Sequence, residues 1–390
     1  MAIPFLVVLV AVATVARVHP DVNVRFKIDR DKALEGEVIG FSFEVTVRGG
    51  PFTVAFLSND ASGLEVICPP RAVVVSAAIP ATLYGRLRCQ RWGIYAFGGG
   101  RIQARDPVSG FVHEQRIEPA CLLRIYPRPE KLRSLLGPKR LRPHTGSLTS
   151  SAAGAGLEYA DIREWAPGDE RRHVNWKASA RRGLLYVNLF HPERSSTVVL
   201  VLDAFADVGT EDESSLDLAV RGATSVAIAC LRRRDRVGLL TVGGEVRWLL
   251  PAMGIRQLYR IVNSLMETQL ALNYFWPTVD AIPKHVIPAG ALVVFLSPLV
   301  DRRMSGILAD LHARGRDVAV VEISVDELLP DPATERERLA RRLWSLNRES
   351  TRYEYREHGI PISEWKPGSD LQMTFGELQR FRRTSRRVHG

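Results

Sequence analysis

A chain of 390 residues is long enough for two or three domains with cores of their own, and 46% hydrophobic with 25% charged residues is an ordinary globular balance. The net charge of +10 is less ordinary. Only 7 of the 53 basic residues are Lys, and the Arg residues lie scattered among acids, without the aromatic-interleaved basic run that a nucleic-acid groove uses, so composition argues against nucleic acid as a partner.

The chain opens on an apolar run, residues 3–16 (IPFLVVLVAVATVA), closed by Arg17. The run is shorter than the roughly 17–25 residues of a comfortable membrane span, and no basic residue precedes it as in a signal peptide. We read residues 1–17 as a membrane anchor. Arg17, Arg25, Lys27, Arg30 and Lys32 follow it, so the positive-inside rule puts the bulk of the protein on the cytoplasmic side of the cell membrane.

Residues 20–127 read as an all-β, Ig-like sandwich domain. Residues 38–47 alternate through Phe41, Phe43, Val45 and Val47, and strand-like runs follow at 53–57, 72–76, 82–89, 94–97, 101–104 and 121–125. Residues 106–110 spell a hairpin turn. Cys68, Cys89 and Cys121 fall in strand-like runs and Cys230 in a helical one. With no CxxC spacing they read as small buried hydrophobes in a reducing compartment, not as zinc ligands or a disulfide framework. Residues 128–156 turn basic and then small (GSLTSSAAGAG), the composition of a flexible linker, and their glycines match no phosphate loop.

The segment 157–196 is the densest in chemistry. Tyr159, Trp165 and Trp176 stand among Asp161, Arg163, Glu164, Asp169, Glu170, Arg171, Arg172 and Arg181, around a Pro167-Gly168 turn. Arg forks pair bidentately with carboxylates. Two uses fit: a staple whose Trp residues pin it to a neighbouring domain, or a docking surface, since Trp and Arg carry much interface energy.

From residue 197 to 390, strands and helices alternate, implying a mostly parallel sheet covered on both faces. Strands are expected at 197–202, 236–242, 245–250, 290–296, 317–323 and 360–362. Helices are expected at 214–233, 256–267, 302–314, 333–357 and from Leu371 onward. The helix at 333–357 is expected to start at an Asp331 cap with Pro332 in its first turn and to bury Leu339, Leu343 and Leu346 as a core stripe. Residues 362–368 (ISEWKPG) echo 162–168 (IREWAPG), an echo we attribute to chance. There is no GxSxG elbow, HExxH, Walker A or kinase set, so the chain reads as non-enzymatic.

The order Tyr159, Arg163, Glu164, Trp165, Pro167, Gly168, Asp169, Arg171, Trp176, Ala180 and Arg181 resembles the central motif of a bacterial family, domain-of-unknown-function family 58. Arg91-Trp92-Gly93, Asp106-Pro107 and Tyr126-Pro127 resemble its pattern at matching places. The chain departs from it at Asn175, where the family usually has Asp. The resemblance implies a von Willebrand factor A-like, Rossmann-like α/β domain over 197–390. It also implies a membrane-anchored, non-enzymatic adaptor for a MoxR-type AAA+ ATPase in protein assembly or envelope maintenance. The interaction motif would be Tyr159, Asp161, Arg163, Glu164, Trp165, Pro167, Gly168, Asp169, Arg171, Trp176 and Arg181. A von Willebrand A-like fold holds Mg²⁺ through Asp-x-Ser-x-Ser at the first strand end, here Asp203-Ala204-Phe205-Ala206-Asp207 with Asp301 as the remote acid. Phe205 has no oxygen to offer, so we expect a degenerate site without a bound cofactor. The alternative is a metal-dependent adhesion or ligand-binding protein.

Overall fold

Period-two alternation builds the first third of the molecule. In β3 (Val38–Arg48), Ile39, Phe41, Phe43, Val45 and Val47 all point inward and are buried. The computed structural model describes residues 21–48, 51–58, 63–76, 79–106, 112–133, 135–137, 159–167, 169, 171–190, 196–210, 213–268, 282–283 and 285–388. β3 lies between β1 (Asp21–Ile28) and β7 (Ala81–Cys89), with β5 (Leu64–Cys68) beyond β7, all antiparallel. A second sheet runs β10 (Val112–Ile117), β9 (Gly100–Arg105), β4 (Phe52–Ser58), β6 (Val73–Val75). A third joins β2 (Lys32–Leu34), β11 (Cys121–Tyr126) and β8 (Gly93–Phe97), its β2–β11 pair parallel. Phe97 closes the core, meeting Phe26 and Phe41 edge-on at 5.8 and 5.1 Å. Among the described residues the expected seven strands are thus eleven, in three sheets. Of the four additional strands, β2 is only three residues long and β10 buries no side chain fully, so neither carries a clear alternation.

The central segment folds on itself. β12 (Tyr159–Glu164) and β13 (Tyr186–Phe190) pair antiparallel, and between them lie a 3₁₀ turn at Arg171–His173 and helix α1 (Trp176–Arg182). Asn175 caps α1 by accepting from the Ala178 N–H at 3.0 Å, and Gly183 ends it with φ of 73°.

The rest is a six-stranded sheet in the order β16 (Val246–Ala252), β15 (Arg236–Val242), β14 (Thr197–Asp203), β17 (Leu292–Ser297), β18 (Asp317–Ile323), β19 (Ile362–Trp365). Around it pack α2 (Ser215–Arg232), α3 (Ile255–Met266), α4 (Arg302–Ala313), α5 (Glu335–Glu357) and α6 (Leu371–Val388). Val198, Leu200 and Leu202 of β14 face a cluster with Leu218, Ile261 and Phe375, while Val199 and Val201 face one with Phe295, Met304 and Leu308. Burial on both faces is why β14 reads as an unbroken apolar run.

The expected fold class needs correction. The α/β sheet is mixed: β16 runs antiparallel to β15, joined to it by a tight hairpin that reverses the chain at the edge. No helix among the described residues is long and apolar enough to cross a membrane, and the longest, α5, is rich in Arg and Glu. The apolar run at 3–16 lies outside the described residues, so the expected N-terminal membrane segment is not supported.

The expected linker is also different where it is described. Tyr126, Leu132, Leu135 and Leu136 pack, with Trp92 of the β domain, into the core beneath α2 and α6. The Glu130 N–H donates to Ser225 Oγ at 2.9 Å, and the Glu130 carboxylate accepts the Leu371 N–H at 2.9 Å. Gln379 and Arg382 donate to the carbonyls of Leu135 and Gly137 at 3.0 Å each. The stretch to Gly137 is therefore docked; residues 138–156 lie outside the described residues.

Helix α5 reverses its expected orientation. Thr334, not Asp331, is its N-cap, completing a capping box with Glu337. Leu339, Leu343 and Leu346 are 59%, 60% and 53% exposed. The opposite face carries the packing: Arg348 pairs with Glu322 and donates to the Pro298 carbonyl at 2.8 Å, and Arg352 reaches Glu364 at 2.5 Å. Arg341 and Arg356 reach the carbonyls of Pro330 and Ile362. Guanidinium groups on long stems can bury against a sheet when carboxylates and carbonyls await them there. The carboxylates of β18 and β19, invisible to helical periodicity, decide which way α5 turns.

Two ion pairs fasten the β domain to α2. Arg91 Nε donates to Asp217 Oδ1 at 3.0 Å, and Arg221 grips Glu35 with two bonds of 2.7 and 3.1 Å. Asp217 is fully buried and Glu35 nearly so. Removing one partner of a buried pair leaves an uncompensated charge, at a cost of about 3–5 kcal/mol. Glu35→Ala should therefore lower the urea unfolding free energy by about 3 kcal/mol, and the double variant Glu35→Met/Arg221→Met should recover most of that loss. A Glu35→Ala protein as stable as wild type would show that the clamp contributes nothing.

Candidate functional site

Two places gather the residues singled out in sequence. The first is the hairpin between β12 and β13. The Arg163 guanidinium holds Asp169 bidentately at 2.8 and 2.6 Å, and Asp169 also accepts the Ala166 N–H at 2.8 Å. The carboxyl is held below the usual range chiefly by the Arg163 bonds, then by the Ala166 N–H. These contacts fix the Pro167 turn. The Trp165 N–H donates to the Leu185 carbonyl at 2.8 Å, and Glu164 accepts the Tyr186 hydroxyl at 3.3 Å. Asn175 spends its amide donor on Asn188 Oδ1 at 2.7 Å. A carboxylate there could not donate that bond, which gives the Asn175 departure a local reason.

The staple reading required buried tryptophans. Trp176 is 69% exposed and Trp165 38%. Arg171 and Arg181 are exposed and pair with no carboxylate among the described residues. Tyr159 and Asp161 lie in β12 on either side of a bulge; Gly168 lies outside the described residues. Sequence reasoning missed Leu184 and Leu185, also exposed, which follow the Gly183 cap directly. An apolar pair immediately after a helix-ending glycine was the available signal.

The second place is the end of β14. Asp203 is 1% exposed; its Oδ1 accepts the Phe205 N–H at 3.0 Å and its Oδ2 the Ser297 hydroxyl at 2.5 Å. Ser297 Oγ in turn accepts the Leu299 N–H at 2.8 Å. Burial pushes the Asp203 carboxyl up to about 6, with these hydrogen bonds and the nearby Arg303 opposing the shift. Asp301 caps α4 and binds the Arg303 guanidinium at 2.6 and 3.0 Å. That guanidinium stacks on the Phe205 ring at 4.2 Å. Asp207 points elsewhere, accepting Ser215 Oγ at 3.1 Å and the Leu216 N–H at 2.8 Å at the start of α2.

Asp203, Asp207 and Asp301 do not fit an octahedral Mg²⁺ site. Asp207 is spent on a helix start and Asp301 on Arg303, and no group of three His, Cys, Asp or Glu side chains among the described residues is placed to hold an ion. The positive charge beside Asp203 comes from Arg303. The Asp-x-Arg pattern at the cap of α4 was its sequence signal.

Comparison with known proteins addresses parts of the chain. Residues 161–336 match the family model described as "Protein of unknown function DUF58", the family whose central motif the sequence resembles. The match contains no statement about a von Willebrand A-like fold or a MoxR-type partner. Uncharacterized protein YeaD of Bacillus subtilis is 31% identical over 86 residues, 22% of this chain and 20% of that protein. An uncharacterized protein of Mycobacterium tuberculosis H37Rv is 31% identical over 190 residues, 46% of this chain and 59% of that protein. The chain thus spans between a fifth and three fifths of these relatives. A solved Escherichia coli alpha-2-macroglobulin fragment, at 18% identity and a TM-score of 0.21, covers 30% of this chain and 19% of that one, too slight a likeness to carry an argument.

Two outcomes follow for the strand end. An acid whose folded pKa is raised binds its proton more readily in the folded state. Stability from Asp203 is therefore greatest at or below pH 4 and declines as pH rises through about 6. Asp203→Asn should be more stable than wild type at pH 7, by roughly 3 kcal/mol at most, and the gap should close toward pH 4. Parallel stability profiles would refute the buried-charge account. Millimolar Mg²⁺ should leave the melting temperature unmoved; an increase abolished in Asp203→Asn would establish the ion site after all.

Proposed function

We propose that this DUF58 protein is a non-enzymatic adaptor that docks a MoxR-type AAA+ ATPase through the hairpin of β12, α1 and β13, in protein assembly or envelope maintenance. One observation carries the reading: Trp176, Leu184 and Leu185 are exposed on a small, internally braced hairpin that also carries the exposed Arg171 and Arg181, which pair with no carboxylate among the described residues. Large apolar side chains beside free guanidinium groups are what interface hot spots are made of. The internal pairing of Arg163 with Asp169 keeps that surface in shape before a partner arrives, which reduces the ordering cost of binding. The four cysteines are free, which suits work on the cytoplasmic side, where thiols stay reduced. The metal-dependent alternative draws no support from Asp207 and Asp301, both engaged with protein groups.

The experiment separates docking from folding. Trp176→Ala and Arg171→Ala should leave thermal melting within about 0.5 kcal/mol of wild type, as exposed positions do. Both should weaken capture of the purified ATPase at least tenfold, about 1.4 kcal/mol. Arg163→Ala, which frees the turn, should lower both. Wild-type capture by the Trp176 and Arg171 variants would end the docking reading.

A further inference from the structure

We infer that the amino-terminal edge of the α/β sheet is a docking face for an anionic phospholipid bilayer, with arginines for the headgroups and one apolar turn to dip between them. The face is separate from the hairpin, and neither depends on the other. Arg236 opens β15 beside Thr197 of β14, Val198 lies beside Leu292 of β17, and Leu292 beside Asp317 of β18, so these strand starts form one row. β16 ends in the same row, with Ala252 opposite Val237. At about 4.8 Å between strands the row is roughly 20 Å long. Helix α2 finishes on it at Arg232. Helix α6 reaches it too, where Arg382 bonds Asp317 at 2.6 Å and the Gly137 carbonyl at 3.0 Å.

The charges of this row are one-sided. Arg232, Arg234, Arg256 and Arg383 are exposed and pair with no carboxylate among the described residues. The acids turn inward: Asp235 is 1% exposed and bound to Arg233, and Asp317 is bound to Arg382. The exposed Asp310 and Glu357 lie a turn back on α4 and at the end of α5, on the β19 side. Two of the four arginines stand against local preference. Arg234 follows the cap of α2 at φ of 63°, in the left-handed region where Gly is unstrained. Arg256 sits in the first turn of α3, where the helix dipole disfavours a cation. Charge kept at a local cost points to a use outside the fold.

The apolar part of the face selects a bilayer. Gly254, at φ of 86°, turns the chain from β16 into α3, and Met253 and Ile255 on either side of it are 52% and 62% exposed. Tyr259, one turn along α3, is 56% exposed. A short apolar tip beside guanidinium groups suits the headgroup boundary, where its atoms enter the acyl margin while the cations meet phosphates and carboxylates. A nucleic-acid backbone would leave Met253 and Ile255 without apolar contact. The clamp to the β domain lies elsewhere: Arg221 is roughly 16 Å along α2 from Arg232, so a bilayer at the row leaves it undisturbed.

The test sediments the full chain with phosphatidylcholine vesicles and with the same vesicles containing phosphatidylserine. Binding should be at least tenfold tighter to the second kind and should weaken as salt is raised. The apolar run at 3–16 carries no charge and acts on both alike, so the difference reads the arginines. Arg234→Gly relieves the positive φ and Arg256→Glu suits the α3 dipole, so both should melt at or above the wild-type temperature. Each should nonetheless lose about fivefold of the preference for serine lipid, the worth of one cationic side chain near such a surface. Met253→Asp should weaken anionic-vesicle binding as well. Equal binding to the two vesicle types, or an unchanged preference in the arginine variants, would overturn the inference. So would variants that lose retention of duplex DNA or self-association while vesicle binding persists.

Discussion

The start of α2 is where the molecule is held together. Asp217 completes the capping box with Ser214 and accepts Arg91 from the β domain, while Arg221, one turn on, grips Glu35. Two turns on, Ser225 takes the Glu130 N–H, and the Glu130 carboxylate satisfies the first N–H of α6. Three separate stretches of chain thus meet on one helix, and Glu130 joins a fourth, the start of α6, to them. Burial raises the Asp217 carboxyl, and the Arg91 contact works against that rise. A buried carboxylate of this sort costs free energy unless it is paired, so the arrangement makes the relative placement of the β domain and α2 specific.

The same dependence on partners explains what could be read from the sequence. Where one face meets apolar core and the other meets water, as in β3 and β7, the alternation shows the strand and its inner face directly. β14 and β17, buried on both sides, show as unbroken apolar runs ending at Asp203 and Ser297. The family motif was legible too, down to the turn at Pro167. Legibility ends where a distant polar group decides. Residues 128–137 have the composition of a tether, but Ser225 and Leu371 supply bonding partners that local composition cannot reveal. α5 has a leucine stripe at core spacing, yet Glu322 and Glu364 attract its arginines instead. The echo between 162–168 and 362–368 makes the point at one residue type. Trp365 is 1% exposed with its indole N–H on the Ser369 carbonyl, whereas Trp165 is 38% exposed.

At the strand end, substitution of one kind of charge for another is the theme. An ion would need several oxygen ligands and water; the Arg303 guanidinium is held by Asp301 and the face of Phe205. Arg is the cation best suited to this, because it stays charged when desolvated and stacks on aromatic rings. Phe205, which counts against an ion as a ligand, is the surface on which the built-in cation rests. Asp203 is left to accept Ser297 and the Phe205 N–H, fixing the loop that leaves β14.

That loop has a mechanical consequence. Asp207 is tied to Ser215 and Leu216, the neighbouring Ser214 to Asp217, and Asp217 to Arg91 of the β domain. The loop and the β domain are thereby geared to one helix end through a short series of polar contacts. Any ligand or contact that drew Asp207 away from Ser215 would disturb the first turn of α2, and with it the seat of Arg91. Movement at the sheet's carboxyl edge would then be felt as a change in the angle between the two halves of the protein, without a signal having to cross either hydrophobic core.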